Sequence, residues 1–134
     1  MYNSIRIAND YLIAGNTKAP VFRLKELAHS TDPSVRARVA ENASTPVAVL
    51  LQLLNDDDSE VRASLSHNAS LPILFLMQLA QDDDLDVRYV MAENTLLPHS
   101  ILQALARDEN PYVADRATKT LSHLDTRSFE KAVA

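Results

Sequence analysis

The stretch Asn42-Ala-Ser-Thr-Pro46-Val-Ala-Val-Leu50-Leu-Gln-Leu53-Leu-Asn-Asp56-Asp-Asp58-Ser-Glu-Val61-Arg62 decides the fold, because its key residues return 26 positions on. Asn68-Ala-Ser-Leu-Pro72 repeats its opening, and Asp82-Asp-Asp84-Leu-Asp-Val87-Arg88 repeats its end. Working outward in both directions, Pro20, Pro46, Pro72 and Pro98 keep one register. So do Val35, Val61, Val87 and Val113, and two leucine columns, Leu24, Leu50, Leu76, Leu102 and Leu27, Leu53, Leu79, Leu105. Asn16, Asn42, Asn68 and Asn94 stand four residues before each proline, while Arg36, Arg62 and Arg88 follow three of the valines and Ala114 the fourth. A fixed period of this length marks a repeat architecture, in which one unit is too small to bury its own apolar face and neighbours must cover it.

Four units follow, at residues 20–45, 46–71, 72–97 and 98–123, and each reads as two short helices. The first helix is expected to start at the proline, whose missing N–H costs nothing in a first turn, with Thr45 as a side-chain cap in the second unit. The second helix starts after Asp32, Asp58, Asp84 or Asn110, side chains that accept from the free amides of a first turn, and Pro33 and Pro111 fit its first position. It ends near the repeated asparagine, expected in the left-handed conformation that asparagine tolerates best after glycine. Residues 1–19 look like the second half of an earlier unit, with Ile13, Ala14 and Asn16 in register, and would cap one end. Residues 124–134 would form a tail or cap, with a short helix from Asp125 to Val133 pairing Phe129 with Val133. The expected fold is therefore all-α: a right-handed αα superhelix, or solenoid, of about four two-helix repeats in one domain spanning 1–134.

Composition agrees. Gly15 is the one glycine, where average usage would give roughly nine. That scarcity excludes hairpin-rich β folds, P-loops and dinucleotide-binding glycine motifs. With no cysteine there is no disulfide framework, thiolate metal site or thiol nucleophile. The net charge of −5 disfavours nucleic acid. No apolar run reaches the length of a membrane span, and Asn9 and Asp10 interrupt any signal-like stretch, so a cytoplasmic protein is expected.

The string Asn-x-x-x-Pro, Leu-x-x-Leu, Asp-x-Asp-x-x-Val-Arg over residues 13–113 resembles the leucine-rich-repeat variant, a bacterial helical repeat related to HEAT repeats. The resemblance implies a non-enzymatic protein-binding scaffold. HEAT-like stacks also occur in alkylpurine DNA glycosylases and phycobilin lyases, but those would want a basic groove or a carboxylate among aromatic walls, and this chain has no Trp. The resemblance further implies a ladder in which an Asp six residues before each Arg pairs with it, giving Asp56 with Arg62 and Asp82 with Arg88. Ser30 and Ala114 would leave the outer units without such a pair.

Three features could carry function. The acidic turns Asp56–Asp58, Asp82–Asp84 with Asp86, and Asp108-Glu109 could bind a cation or a basic partner, or could serve as caps on a solvated edge. No EF-hand glycine or closing glutamate follows them, and His29, His67, His99 and His123 share no ligand spacing, so no metal or cofactor is expected. The second helices present Arg38, Glu41, Ser64, His67, Tyr89, Val90, Glu93, Tyr112, Arg116 and Lys119, columns that vary and could recognise a protein partner or simply face water. The first helices are apolar nearly all round. Val47, Leu51, Ile73, Leu74 and Met77 lie at positions expected to point outward, with Val21 and Phe22 equivalent in the first unit. Either neighbouring first helices cover this stripe, or it forms a protein contact, most simply a two-fold homodimer.

Overall fold

A computed structural model describes residues 1–134. The chain is all-helical, with nine helices and no strand: α1 (Tyr2–Ala14), α2 (Val21–Leu27), α3 (Pro33–Glu41), α4 (Val47–Leu53), α5 (Ser59–Leu65), α6 (Ile73–Leu79), α7 (Leu85–Glu93), α8 (His99–Leu105) and α9 (Pro111–Val133). They cluster into two compact units, Met1–Phe75 and Leu76–Ala134, with the boundary inside α6. No helix is long and apolar enough to cross a membrane.

The starts of α3, α5, α7 and α9 are set by side-chain caps. The carboxylates of Asp32, Asp58 and Asp84 and the amide oxygen of Asn110 accept from the backbone N–H two residues on, at 2.8, 2.9, 2.8 and 2.9 Å. Each such cap contributes about 1 kcal/mol. Pro33 and Pro111 open their helices as expected. The prolines of the first helices sit one residue earlier than expected. Pro20, Pro46 and Pro98 are N-caps with ψ of 140°, 144° and 140°, extended rather than helical, and the helix begins after them. A proline loses nothing there either, because its carbonyl already accepts the first intrahelical bonds; Pro46 O takes Val49 N–H at 2.9 Å and Leu50 N–H at 3.1 Å.

Two local expectations fail for a physical reason. No residue has a positive φ, so the asparagines are not left-handed: Asn42 and Asn94 lie in the extended region at φ −72° and −79°. Their side chains close the turn instead, with Asn42 Oδ1 accepting from Ser44 N–H at 2.9 Å. Thr45 is no cap. It is 3% exposed, in register with the buried Leu71 and Leu97, and its hydroxyl donates to Val39 O at 2.7 Å. A buried hydroxyl must find an acceptor, and the end of α3 offers one.

In the first unit α3 packs on α1 and α5, with α2 against α1 and α3 and α4 against α3 and α5. Leu24, Leu27, Val35, Leu50, Leu53 and Val61 form its core, none more than 4% exposed. In the second unit α7 and α8 pack on α9 and on each other, around Leu76, Leu79, Val87, Leu102, Leu105 and Val113. Each of these side chains contributes about 1.5–3 kcal/mol on burial, so the periodic columns are the folding code. A column that the expectations left out, Val39 and Leu65 in one unit, Met91 and Ala117 in the other, is fully buried as well.

The C-terminal end departs from expectation. α9 runs unbroken for 23 residues through the region assigned to a separate cap, and Phe129 and Val133 are each 68% exposed. Nothing between Leu121 and Val133 stops a helix: there is no glycine or proline, and Thr126 Oγ1 simply donates back to Ser122 O at 2.9 Å.

Candidate interaction surfaces

The polar columns turn out to bind one repeat to the next. Asn42 and Asn68 are each 4% exposed. Asn42 Nδ2 donates to Ala14 O at 2.7 Å and Asn16 O at 3.0 Å; 26 residues on, Asn68 Nδ2 donates to Ala40 O at 2.8 Å and Asn42 O at 3.0 Å. Ser44 and Ser70 add hydroxyl bonds to Thr17 O and Ala43 O. In the second unit Thr120, in the same register, donates to Ala92 O at 2.6 Å. The asparagine column was legible as a repeat, but the carbonyls it would reach were not.

Arginine does the same on the opposite turn, with a pairing different from the one the resemblance implied. Asp56 gives its carboxylate to Arg36, at 2.8 and 2.9 Å in a two-pronged contact, while Arg62 reaches Asp56 at the main-chain carbonyl, 2.7 Å away. Arg36 likewise donates to Ser30 O at 2.8 Å, so the missing Asp at position 30 costs the first unit nothing. Arg88 holds Asp82 O at 2.7 Å and the Asp108 carboxylate at 2.8 and 3.3 Å. Arg36 and Arg88 share one rule, a carbonyl six residues back and a carboxylate 20 residues on. A signal for it existed, since Asp108 has no arginine at 114 and yet keeps the column. The hydrogen bond to Asp56 raises the Arg36 pKa despite partial burial, and Asp108 acts likewise on Arg88.

These bonds also explain the acidic turns. Asp56, Asp82 and Asp108 each accept from the backbone N–H two residues on; Asp58 and Asp84 cap helices; the middle residues, Asp57, Asp83 and Glu109, stay exposed. Nowhere do three His, Asp or Glu side chains converge as a metal ion requires.

On the second helices the charges are largely spoken for. Arg38 pairs with Glu41 at 3.0 Å and lies over the Tyr11 ring, 5.3 Å from its centre. Ser64 is half-buried and His67 exposed. In the second unit Arg116 pairs with Glu93 at 3.6 Å and Lys119 with Asp115 at 2.6 Å; Tyr89 and Val90 are half-buried, and Tyr112 stands out at 74% exposure. Gly15 belongs to this face too. A Cβ there would lie 2.5 Å from Arg38 Nε, so the single glycine makes room for a guanidinium. Its φ of −83° suits any residue, and the obstacle is the far end of a flexible side chain. Gly15→Ala is therefore expected to leave stability within about 1 kcal/mol in denaturant titration, alanine's helix preference offsetting lost ring contact, while the Arg38 side-chain NMR resonances move. A loss of several kcal/mol would show that Arg38 is fixed in place.

The first helices present the contrasting surface. Val47 is 47% exposed, Leu51 48%, Ile73 50%, Leu74 70% and Met77 47%, and in the first unit Val21 and Phe22 join them at 47% and 68%. Neighbouring helices do not cover this stripe. Charges are sparse on it: Glu26 is tied to Arg23 at 2.6 Å, and Gln52 reaches back to the His29 ring at 3.3 Å. No family model, curated protein or solved structure matches the chain.

Proposed function

We propose that the chain is a non-enzymatic, cytoplasmic protein-binding scaffold, a right-handed α-solenoid of the leucine-rich-repeat-variant kind, with a protein partner and neither nucleic acid nor cofactor. One observation carries the choice of binding face. Apolar side chains stand half out of water along α2, α4 and the start of α6, while the charges of the second helices largely neutralise one another. Contiguous apolar patches of this size on a protein surface mark interaction sites. Affinity capture with mass spectrometry tests the reading, comparing the wild-type chain with Leu51→Glu and with a Tyr89→Ala, Tyr112→Ala double variant. Partners lost with Leu51→Glu and kept with the double variant are the expected result. The reverse pattern moves the site to the second helices, and capture unaffected by either removes both faces.

A further inference from the structure

Within residues 1–75 the exposed stripe is a three-row array. Val21 on α2, Val47 on α4 and Ile73 on α6 hold one register position in successive units, Phe22 and Leu74 hold the next, and Leu51 stands one turn on from Val47 in α4. The identical rungs of Asn42 and Asn68 show that α2 and α4 belong to units stacked by one repeated step. We propose that a second copy of this chain covers the array, through a two-fold axis running along α4. The inference rests on the protein-binding reading above and names its occupant.

Area comes first. Exposures of 47–70% on six large side chains leave on the order of 600 Å² of mostly apolar surface per copy, against the ~800 Å² per partner of a stable standard interface. Ala48, Gln52 and Lys25 on the same helices are exposed as well and add to the contact. Charge comes second. Each copy carries a net −5, so two copies approach best where negative charge is least. Beside this array Arg23 and Arg6 balance Glu26 and Asp10, and Lys25 is cationic, whereas the α4–α5 turn exposes Asp57. Self-complementarity comes third. An axis along α4 sets Leu51 against Leu51 of the partner subunit and lays Val21 and Phe22 over Ile73 and Leu74 of the partner subunit. It also keeps the two Lys25 ammonium groups apart, at opposite edges of the contact.

Light scattering over a dilution series reads the mass directly. The expected result is about twice the 14.8 kDa of one chain at micromolar concentration, with Leu51→Glu and Phe22→Glu each raising the dissociation constant by roughly a hundredfold, since each buries an unpaired carboxylate. The absence of native cysteine allows a second measurement independent of those variants. Leu51→Cys is expected to form a disulfide-linked dimer on mild oxidation. Phe22→Cys is not, because two helix spacings place its copies roughly 20 Å apart. A wild-type chain that stays monomeric into the high micromolar range overturns the second copy, and face-dependent capture of another protein would then still stand as the separate test of the wider reading. A dimer that survives both glutamates, or that links through Phe22→Cys and not Leu51→Cys, overturns the face or the axis, and with it the proposal.

Discussion

Asn68→Asp is expected to destabilise the protein by about 3–5 kcal/mol at neutral pH, a large share of the ~5–15 kcal/mol that holds an ordinary domain together. Asn68 Nδ2 points at two carbonyl oxygens, Ala40 O and Asn42 O, and its Oδ1 takes Ser70 N–H at 2.8 Å. Aspartate keeps the acceptor but replaces the donor with a second oxygen, placing negative charge against both carbonyls at a site 4% exposed. Asn68→Ala removes the repulsion and still strands buried polar groups, for an expected loss of about 2–3 kcal/mol. Asn16→Asp is the control. That asparagine is exposed and uses its oxygen on Lys18 N–H, a bond that aspartate preserves. Urea titrations at pH 7 compare the three. The excess loss in Asn68→Asp should shrink as pH falls, because a carboxyl buried against oxygens prefers its proton in the folded state. Equal small losses at Asn68 and Asn16 would remove the asparagine rung from the account of stability.

Asp56→Ala is the second large effect, expected at about 2–4 kcal/mol and matched approximately by Arg36→Ala. The two side chains are 8% and 17% exposed, so removing either leaves the other's charge in poorly solvated surroundings. A pH dependence accompanies it. Burial pushes the Asp56 carboxyl up, but the Arg36 hydrogen bond, the Asp58 amide and the charges of Arg36 and Arg62 outweigh it, and the net pKa lies below the usual value. A carboxylate with a lowered folded pKa gives its full stabilisation above the unfolded value of about 3.9 and loses it as pH falls through the folded one. Wild type should thus lose stability on acidification below about pH 4 more steeply than Asp56→Asn. Parallel acid titrations would assign the dependence to other groups. Arg38→Ala, which breaks a more exposed pair, should cost a small fraction of the Arg36 effect.

The helices and their cores were readable because burial leaves a periodic trace: leucine and valine cannot be exchanged for polar residues in those columns. Bond partners leave no such trace. An arginine followed by carboxylates in every turn is compatible with pairing six residues back or 20 residues forward, and the choice depends on how far one helix pair is displaced from the next, which no single repeat contains. Asn42 and Thr45 misled for a related reason. Asn42 closes its turn through Oδ1 without the left-handed backbone and sends its amide to the preceding unit, while the Thr45 hydroxyl leaves the cap position for Val39 O. The continuation of α9 is hard to read because the hydrophobic pattern weakens after Leu121 while no glycine or proline follows to end the helix. The stripe on the first helices was visible as an excess of apolar residues, but whether neighbours would cover it was a question of packing distance.

The repeated rungs bear on how a chain of this kind can change its length. Ala14 O and Asn16 O stand to Asn42 as Ala40 O and Asn42 O stand to Asn68, so each unit ends by offering the acceptors that the next one requires. Duplicating residues 46–71 in place would repeat the donor and the acceptors of that rung, whereas inserting one residue fewer or more would strand them. Growth by whole units is then nearly free of penalty and growth by fractions is severely punished, so gene duplication, rather than gradual drift in loop length, is the natural route by which such a protein lengthens.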